Sequence, residues 1–398
     1  MFSQKLAEII PHIEKIGALP LISISETRDL LEKCISGKHL DTQEVVLLMN
    51  GMNKPEIKAF VLEFAVQYKR PHRQEILLLP PLYFTSICEN KCLYCDFSSG
   101  GARLSHEEFG REFDRLLDLG YRSIELVSSQ DPLLFKKSDK YKINEQYFQI
   151  DPIAEYFKIA RDKLDARGGG MLTSNIPPVD ADSFRKLKTA GLNCYLLWLE
   201  TFNASQYSKL HNPEGPKSDQ NFRLDSFDKA AEAEIEHNAG AFLKGLYDWR
   251  KEQACLYLFD RHLKARNAKG FSIIGTPRLK GPFARSHIVQ PYFVSDEDYE
   301  LNIALDHILY DGVLWLQTRE SPQYNDYLMD KYGAGNILTL DCSTAPGGYS
   351  GPPKAKAQFP VHRQNLKKAV AALESKGYHV HFQWDIRTLH DFMRKHPQ

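Results

Sequence analysis

Apolar residues near the start of the chain recur at helical spacing. Val45, Val46, Leu48 and Met49 form one set, and Ile57, Phe60, Val61, Phe64 and Ala65 another, so residues 1–75 read as a helical extension. After Arg73 the pattern changes to short apolar runs separated by amphipathic stretches, the alternation that produces a parallel sheet with crossover helices. Eight such runs stand out: 82–86, 124–128, 171–175, 195–200, 242–246, 271–275, 313–318 and 337–341. Helical stretches fit between most of them, at 107–119, 153–164, 182–190, 227–237, 252–265 and 296–309, with a weaker one at 325–331. Eight strand–helix units predict an α/β fold, a (β/α)8 TIM barrel over residues 76–345. Residues 346–398 read as a helix–strand–helix extension outside it, with Tyr349 to Pro353 a turn-rich lid candidate.

A parallel barrel carries its chemistry at the C-terminal ends of its strands. The runs end at or near Cys88, Ser129 and Gln130, Asn175, Glu200 and Thr201, Asp248, Arg278, Arg319 and Glu320, and Ser343, each able to bind or carry charge. Composition narrows the ligand. Fifty-one basic residues balance fifty-one acidic ones in 398, so no net field draws the chain to nucleic acid, and a small-molecule substrate fits better. The N-terminal stretch lacks the apolar core of a signal peptide, and no apolar run approaches a membrane span. Seven cysteines without a secretion signal predict a reducing, cytoplasmic setting.

Three of those cysteines, Cys88, Cys92 and Cys95, have C-x3-C-x2-C spacing on a loop leaving the first barrel run. Three thiolates hold three irons of a 4Fe–4S cluster and leave the fourth open to a ligand. A structural zinc needs a fourth ligand, usually from a second pair of similar spacing, and none follows within about fifty residues. The competing reading is a zinc-holding binding protein without catalysis.

Ser86-Ile-Cys-Glu-Asn-Lys-Cys-Leu-Tyr-Cys-Asp-Phe97 resembles the cluster loop of radical S-adenosylmethionine enzymes, and in particular of their aromatic amino-acid lyase group. That group holds the tyrosine lyases ThiH and HydG and the tryptophan lyase NosL. The resemblance is nearest to the ThiH type and runs from about Pro80 to Trp384. It continues in order through Glu200-Thr-Phe-Asn203, Tyr207, His211, Gly215-Pro-Lys217, Arg223-Leu224, Gly245-Leu-Tyr-Asp-Trp-Arg250, Pro277-Arg-Leu279, Thr318-Arg-Glu-Ser321, Pro346-Gly-Gly-Tyr349 and Gln358-Phe359.

The resemblance implies a 4Fe–4S cluster and S-adenosyl-L-methionine as cofactors. It implies cleavage of an aromatic L-amino acid at Cα–Cβ, tyrosine first, to p-cresol and dehydroglycine; tryptophan fragmentation or an unrelated substrate of the superfamily are the alternatives. It also implies an electron donor such as flavodoxin or ferredoxin, and a downstream enzyme accepting an unstable imine. Tyr94 matches the position against the adenine, and Glu200 the carboxylate that reaches the ribose. Arg278 matches a partner for the cofactor's carboxylate, with a plain salt bridge the competing reading. Arg319 matches the arginine gripping the substrate carboxylate, a task suited to the guanidinium fork, and Tyr83 and Ser343 match residues that assist it. A packed core tyrosine and a turn-starting serine compete with those two roles. His211 and Asp248 match family positions whose plain reading is a satisfied polar partner.

The chain departs from the pattern in three places. Ser128-Ser129-Gln130-Asp131 replaces the Gly-Glu whose carboxylate binds the cofactor's amino group, so Gln130 takes that place or Asp131 reaches in. Asp96 stands where relatives commonly have glycine and should disfavour adding an electron to the cluster. No cysteine pair follows Trp384, which argues against the accessory-cluster chemistry of the hydrogenase maturase.

Overall fold

The computed structural model describes residues 1–135, 142–143, 146–147, 150–267, 269–333, 335–359 and 361–393. Four helices open the chain: α1 (Phe2–Ile13), α2 (Ile24–Ile35), α3 (Thr42–Gly51) and α4 (Pro55–Gln67). Ser23 with Glu26, and Asp41 with Glu44, form capping boxes that satisfy the first N–H groups of α2 and α3, and Pro55 pre-sets the first turn of α4.

Next come β1 (Glu75–Leu78), β2 (Pro81–Thr85), α5 (His106–Asp118), β3 (Ser123–Ser128) and a two-residue antiparallel pair, β4 (Lys142–Ile143) with β5 (Gln146–Tyr147). Then follow α6 (Asp151–Asp165), β6 (Met171–Asn175), α7 (Ala181–Thr189), β7 (Cys194–Trp198), α8 (Ala204–Leu210), α9 (Gln220–Leu224), α10 (Ser226–Glu232) and β8 (His237–Ala241). The chain continues through α11 (Trp249–Asn267), β9 (Phe271–Gly275), α12 (Asp296–Leu309), β10 (Val313–Leu316), α13 (Pro322–Tyr332) and β11 (Ile337–Leu338). It ends in α14 (Leu366–Ser375), β12 (His379–His381) and α15 (Ile386–Phe392).

The strands β2, β3, β6, β7, β8, β9, β10 and β11 pair in that order, all parallel, and β11 pairs with β1. β1 and β2 are one extended run interrupted at Leu79–Pro80, where two consecutive prolines remove two ladder donors. Its first half bonds to β11, Leu79 N to Leu338 O at 3.0 Å, and its second half serves β3, Glu125 N to Pro80 O at 3.0 Å. With β1 and β2 counted as one strand the sheet closes into an eight-stranded barrel, as the alternating pattern predicts.

Alternate strand residues point inward. Leu77, Met171, Leu196, Ala239, Ile273, Val313 and Trp315 fill the barrel, while Leu82, Ile124, Leu126, Leu172 and Leu314 face the helices. The N-terminal helices pack on this outer layer, α1 and α3 against α11 and α2 and α4 against α12. Phe2 stacks on Phe259 with ring centroids 3.7 Å apart, and its N–H donates to Asp228.

The C-terminal strand β12 pairs with the start of β1, and Trp384 enters the interior cluster. Trp384 donates from Nε1 to Leu78 O at 2.8 Å and accepts from the Ser123 hydroxyl at 2.6 Å, so this extension closes the end of the barrel opposite the cysteine loop.

One strand differs from its expected position. The fifth barrel strand is His237–Ala241, not 242–246, and the helix before it ends at Glu232 rather than 237. Asn238, Ala239, Gly240 and Ala241 lack a hydrophobic signature because neighbours take the room: a Cβ built on Gly240 would lie 2.8 Å from the Phe271 ring on β9. The shift also moves Asp248 away from the strand end to the start of α11, where it pairs with Arg250 at 2.8 Å.

Gly240→Ala therefore forces the fully buried Phe271 to move, and we expect a loss of about 1–3 kcal/mol. Chemical denaturation of the purified variant reads this as a lowered midpoint with an unchanged slope.

Candidate active site

The loop after β2 leaves and returns at the barrel mouth. Ser86 N donates to Ala102 O at 2.9 Å, and Gly101 is required there because a Cβ would lie 2.4 Å from the Ser86 backbone. Between these points Cys88, Cys92 and Cys95 line one wall of a cavity with about 820 Å³ of space unfilled by protein atoms, counting its open mouth. Two loops pin the cysteine segment: Glu89 N donates to Gln130 O at 3.2 Å, and Asn90 Oδ1 accepts from Lys217 N at 2.8 Å.

Three thiols from one short loop, all facing one cavity, fit a cube whose irons each take one sulfur. Among the described residues no group of three Cys, His, Asp or Glu side chains is arranged to hold a single metal ion. Gln358 donates to Cys95 Sγ at 3.7 Å, a contact of the kind that tunes cluster sulfur. Asp96 faces Lys356 at 3.4 Å in a solvent-exposed pair.

Glu200 follows β7 with φ of +68°, a left-handed conformation that strains a non-glycine residue and turns its carboxylate inward. Burial pushes that carboxyl up, but Lys217 and Arg223 outweigh it and hold it below its ordinary value. The Lys217–Glu200 pair is nearly closed to solvent, at 10% and 6% side-chain exposure, so removing one partner would strand a buried charge at about 3–5 kcal/mol. Lys217 also donates to the Tyr94 hydroxyl at 3.0 Å, and His211 Nε2 meets that hydroxyl at 2.7 Å. Burial lowers His211 to about 3, so its ring is neutral and serves to position Tyr94.

Arg319 follows β10 and lines the same cavity. Its guanidinium lies 3.8 Å from the Phe359 ring centroid and 5.8 Å from that of Trp198, its Nε is buried without a hydrogen-bond partner, and no described acid pairs with it. An orphaned, desolvated guanidinium calls for an anion.

The structure thus gathers Cys88, Cys92, Cys95, Tyr94, Gln130, Glu200 and Arg319 around one cavity. Tyr83 is buried below it, donating to Gln358 at 2.8 Å. Arg278 lies elsewhere, locked to Glu320 at 2.8 and 3.0 Å and to Asp296 at 2.6 Å. Ser343 is buried in its own turn, accepting from Ala345 N at 3.3 Å and donating to Ala345 O at 2.9 Å. Asp131 does not reach in: Arg103 grips both its oxygens, at 2.7 and 2.6 Å, and Thr85 donates a third bond. The turn at Tyr349 and Ser350 is tied to Glu112 on α5, and Gln358 and Phe359 line the cavity in its place. Lys217, Arg223, Trp198, Gln358 and Phe359 were matched only as parts of motifs or passed over. Their side chains meet the cysteines only through folding.

Residues 82–253 match the Radical SAM superfamily, and with the three cysteines on one cavity wall the chain carries a radical S-adenosylmethionine domain. Enzymes of that superfamily use a 4Fe–4S cluster and S-adenosylmethionine. Within it, the chain is 26% identical to the 2-iminoacetate synthase of Salmonella typhimurium over 373 residues, covering 89% of this chain and 90% of that protein. Among solved structures it is similar to HydG, a maturase of the FeFe-hydrogenase, with a TM-score of 0.80, 25% identity and coverage of 94% and 80% of the two chains. It shares its fold with methylornithine synthase PylB, with a TM-score of 0.62, 17% identity and coverage of 88% and 97%. The chain thus carries a radical S-adenosylmethionine domain and is similar along most of its length to 2-iminoacetate synthase.

Cys88→Ala, Cys92→Ala and Cys95→Ala are each expected to abolish cluster assembly, whereas alanine at Cys34, Cys194 or Cys255, buried away from the cavity, leaves iron content intact. Iron, sulfide and visible absorbance after anaerobic reconstitution provide the check.

Proposed function

We propose that the protein is a carbon–carbon lyase acting on an aromatic L-amino acid, tyrosine first, to give p-cresol and dehydroglycine. The observation that carries this reading is Arg319, a guanidinium without an ion pair, backed by two aromatic rings and facing the cysteine-lined cavity. The homology to 2-iminoacetate synthase supports it.

When bound, the cluster and S-adenosylmethionine would supply radical hydrogen-abstraction chemistry at the substrate. The chain's own residues bind and orient. Arg319 takes the substrate carboxylate as a charge-assisted pair, with Phe359 holding the guanidinium plane. Tyr94, fixed by His211 and Lys217, offers its ring to the adenine, and Glu200 offers a carboxylate to the ribose. Gln130, buried on the cavity wall, presents an amide oxygen to the cofactor's ammonium where relatives place a carboxylate. Tyr83 supports the substrate end through Gln358, whereas Ser343, bonded to Ala345, and Arg278, bonded to Glu320, stand off the cavity.

The reading requires an electron donor of ferredoxin or flavodoxin type and an enzyme that accepts the unstable imine. No described helix is long and apolar enough to cross a membrane, and none of the seven cysteines is joined in a disulfide, which supports work in a reducing cytoplasm. Residues 1–75 and 346–398 are assigned as extensions of a catalytic barrel at 76–345.

Arg319→Lys keeps the charge and loses the fork. We expect the KM for tyrosine to rise about tenfold and 5′-deoxyadenosine to form in excess of p-cresol. Anaerobic turnover that follows both products tests this, and full coupling in the variant would remove the carboxylate clamp. Gln130→Glu should tighten S-adenosylmethionine binding by about 1 kcal/mol through added charge assistance. Calorimetry on the reconstituted protein measures it, and unchanged or weaker binding would show that residue 130 does not face the ammonium.

A further inference from the structure

The turn that aims Glu200 into the cavity is held from outside the barrel. Thr201 and Phe202, the two residues after it, both bond to one carboxylate: the Thr201 hydroxyl donates to Glu252 Oε1, and Phe202 N donates to Glu252 Oε2 at 3.0 Å. Glu252 belongs to the first turn of α11, is 2% exposed, and does not line the cysteine cavity.

An acid in the first turn of a helix ordinarily faces solvent, where it complements the helix dipole. This one is buried, and Lys244, fully buried in the same layer, donates to Gln253 rather than to it. Burial raises the Glu252 carboxyl, while the Thr201 and Phe202 bonds and the Lys244 charge draw it back down. Both of its oxygens are thus given to the turn after β7.

That turn governs two parts of the site. Backward it sets Glu200, whose φ of +68° is a conformation that persists only where the surroundings impose it. Forward it starts α8: Asn203 N donates to Thr201 Oγ1 at 3.1 Å, and Asn203 caps the helix by accepting from Gln206 N at 2.9 Å. Leu210, at the end of α8, accepts from Leu93 N at 3.2 Å, and the next residue, His211, meets the Tyr94 hydroxyl at 2.7 Å. The Phe202 ring stacks on Phe242 with centroids 5.3 Å apart, which pins the turn on the helix side while Glu200 faces the cavity.

We propose that Glu252 is a positioning residue for S-adenosylmethionine, fixing from the helix layer both the Glu200 carboxylate and the His211–Tyr94 pair. The proposal rests on the reading above that Glu200 meets the ribose and Tyr94 the adenine. Removing the carboxylate leaves two buried donors without their acceptor and lets the turn relax from its left-handed form. Arg319 stands after β10, at a different strand end, so capture of the substrate carboxylate does not depend on this turn.

The test is anaerobic calorimetry of S-adenosylmethionine binding to the cluster-loaded protein, with iron and sulfide measured on each sample. Glu252→Ala should raise the Kd about tenfold at unchanged stoichiometry and iron content. A variant that merely folds less well loses stoichiometry at an unchanged Kd, and that result overturns the proposal. Glu252→Gln, whose amide offers an oxygen to Phe202 N and an N–H to Thr201 Oγ1, should recover most of the affinity. Thr201→Val should weaken binding and Thr201→Ser should not. Glu252→Ala combined with Thr201→Val should bind little worse than Glu252→Ala alone, since the two act through one bond. At saturating S-adenosylmethionine the KM for tyrosine should stay within about twofold of the parent's, and a KM that rises with the Kd would mean general disorder of the cavity and overturn the assignment. Should Glu252→Ala give no folded protein, Thr201→Val and Thr201→Ser decide the matter. Glu200→Gln is the control: an unchanged Kd there removes the ribose reading and this proposal with it. Weakened binding in Glu200→Gln beside a parental Kd in Glu252→Ala or Thr201→Val overturns the role of Glu252 alone.

Discussion

The ring closes through one stretch of chain, residues 75–85, whose first half hydrogen-bonds to β11 and whose second half bonds to β3. Two prolines at its centre remove the donors that would hold it in a single register, and the strand shifts from one neighbour to the other at that point. The cysteine loop springs from the end of this strand, so its direction over the barrel mouth is inherited from the closure. Trp384 reinforces the same joint from below by bonding to Leu78 and Ser123, which ties the C-terminal extension to the placement of the site.

Charge in the site is arranged by burial more than by number. Arg103 neutralises Asp131, Lys217 neutralises Glu200, and Glu320 with Asp296 holds Arg278, so three of the acids and bases at the strand ends are already paired. Among the described residues no acid pairs with Arg319, which lies against the Phe359 and Trp198 rings. In a low-dielectric pocket a guanidinium without an ion pair cannot be indifferent to what enters.

Left-handed backbone and close approach serve the site at two points: Glu200 takes a left-handed conformation at the end of β7, and Gly101 lets the return of the cysteine loop press on Ser86. The N-terminal helices rely on capping boxes and apolar faces against α11 and α12.

The periodic runs of Leu, Ile and Val and the C-x3-C-x2-C spacing determined the parallel barrel and the superfamily, because burial on both faces and cysteine spacing leave marks in linear order. The fifth strand escaped since its room is taken by Phe271 on the neighbouring strand, so small residues replaced the apolar signature. Which strand-end charges remain available was likewise settled only by folding: Arg278 and Arg319 look alike in sequence, but Glu320 reaches one, and the other lies against Phe359 and Trp198 with no described acid paired to it. Pairing is a matter of distance in space, and linear order does not record it.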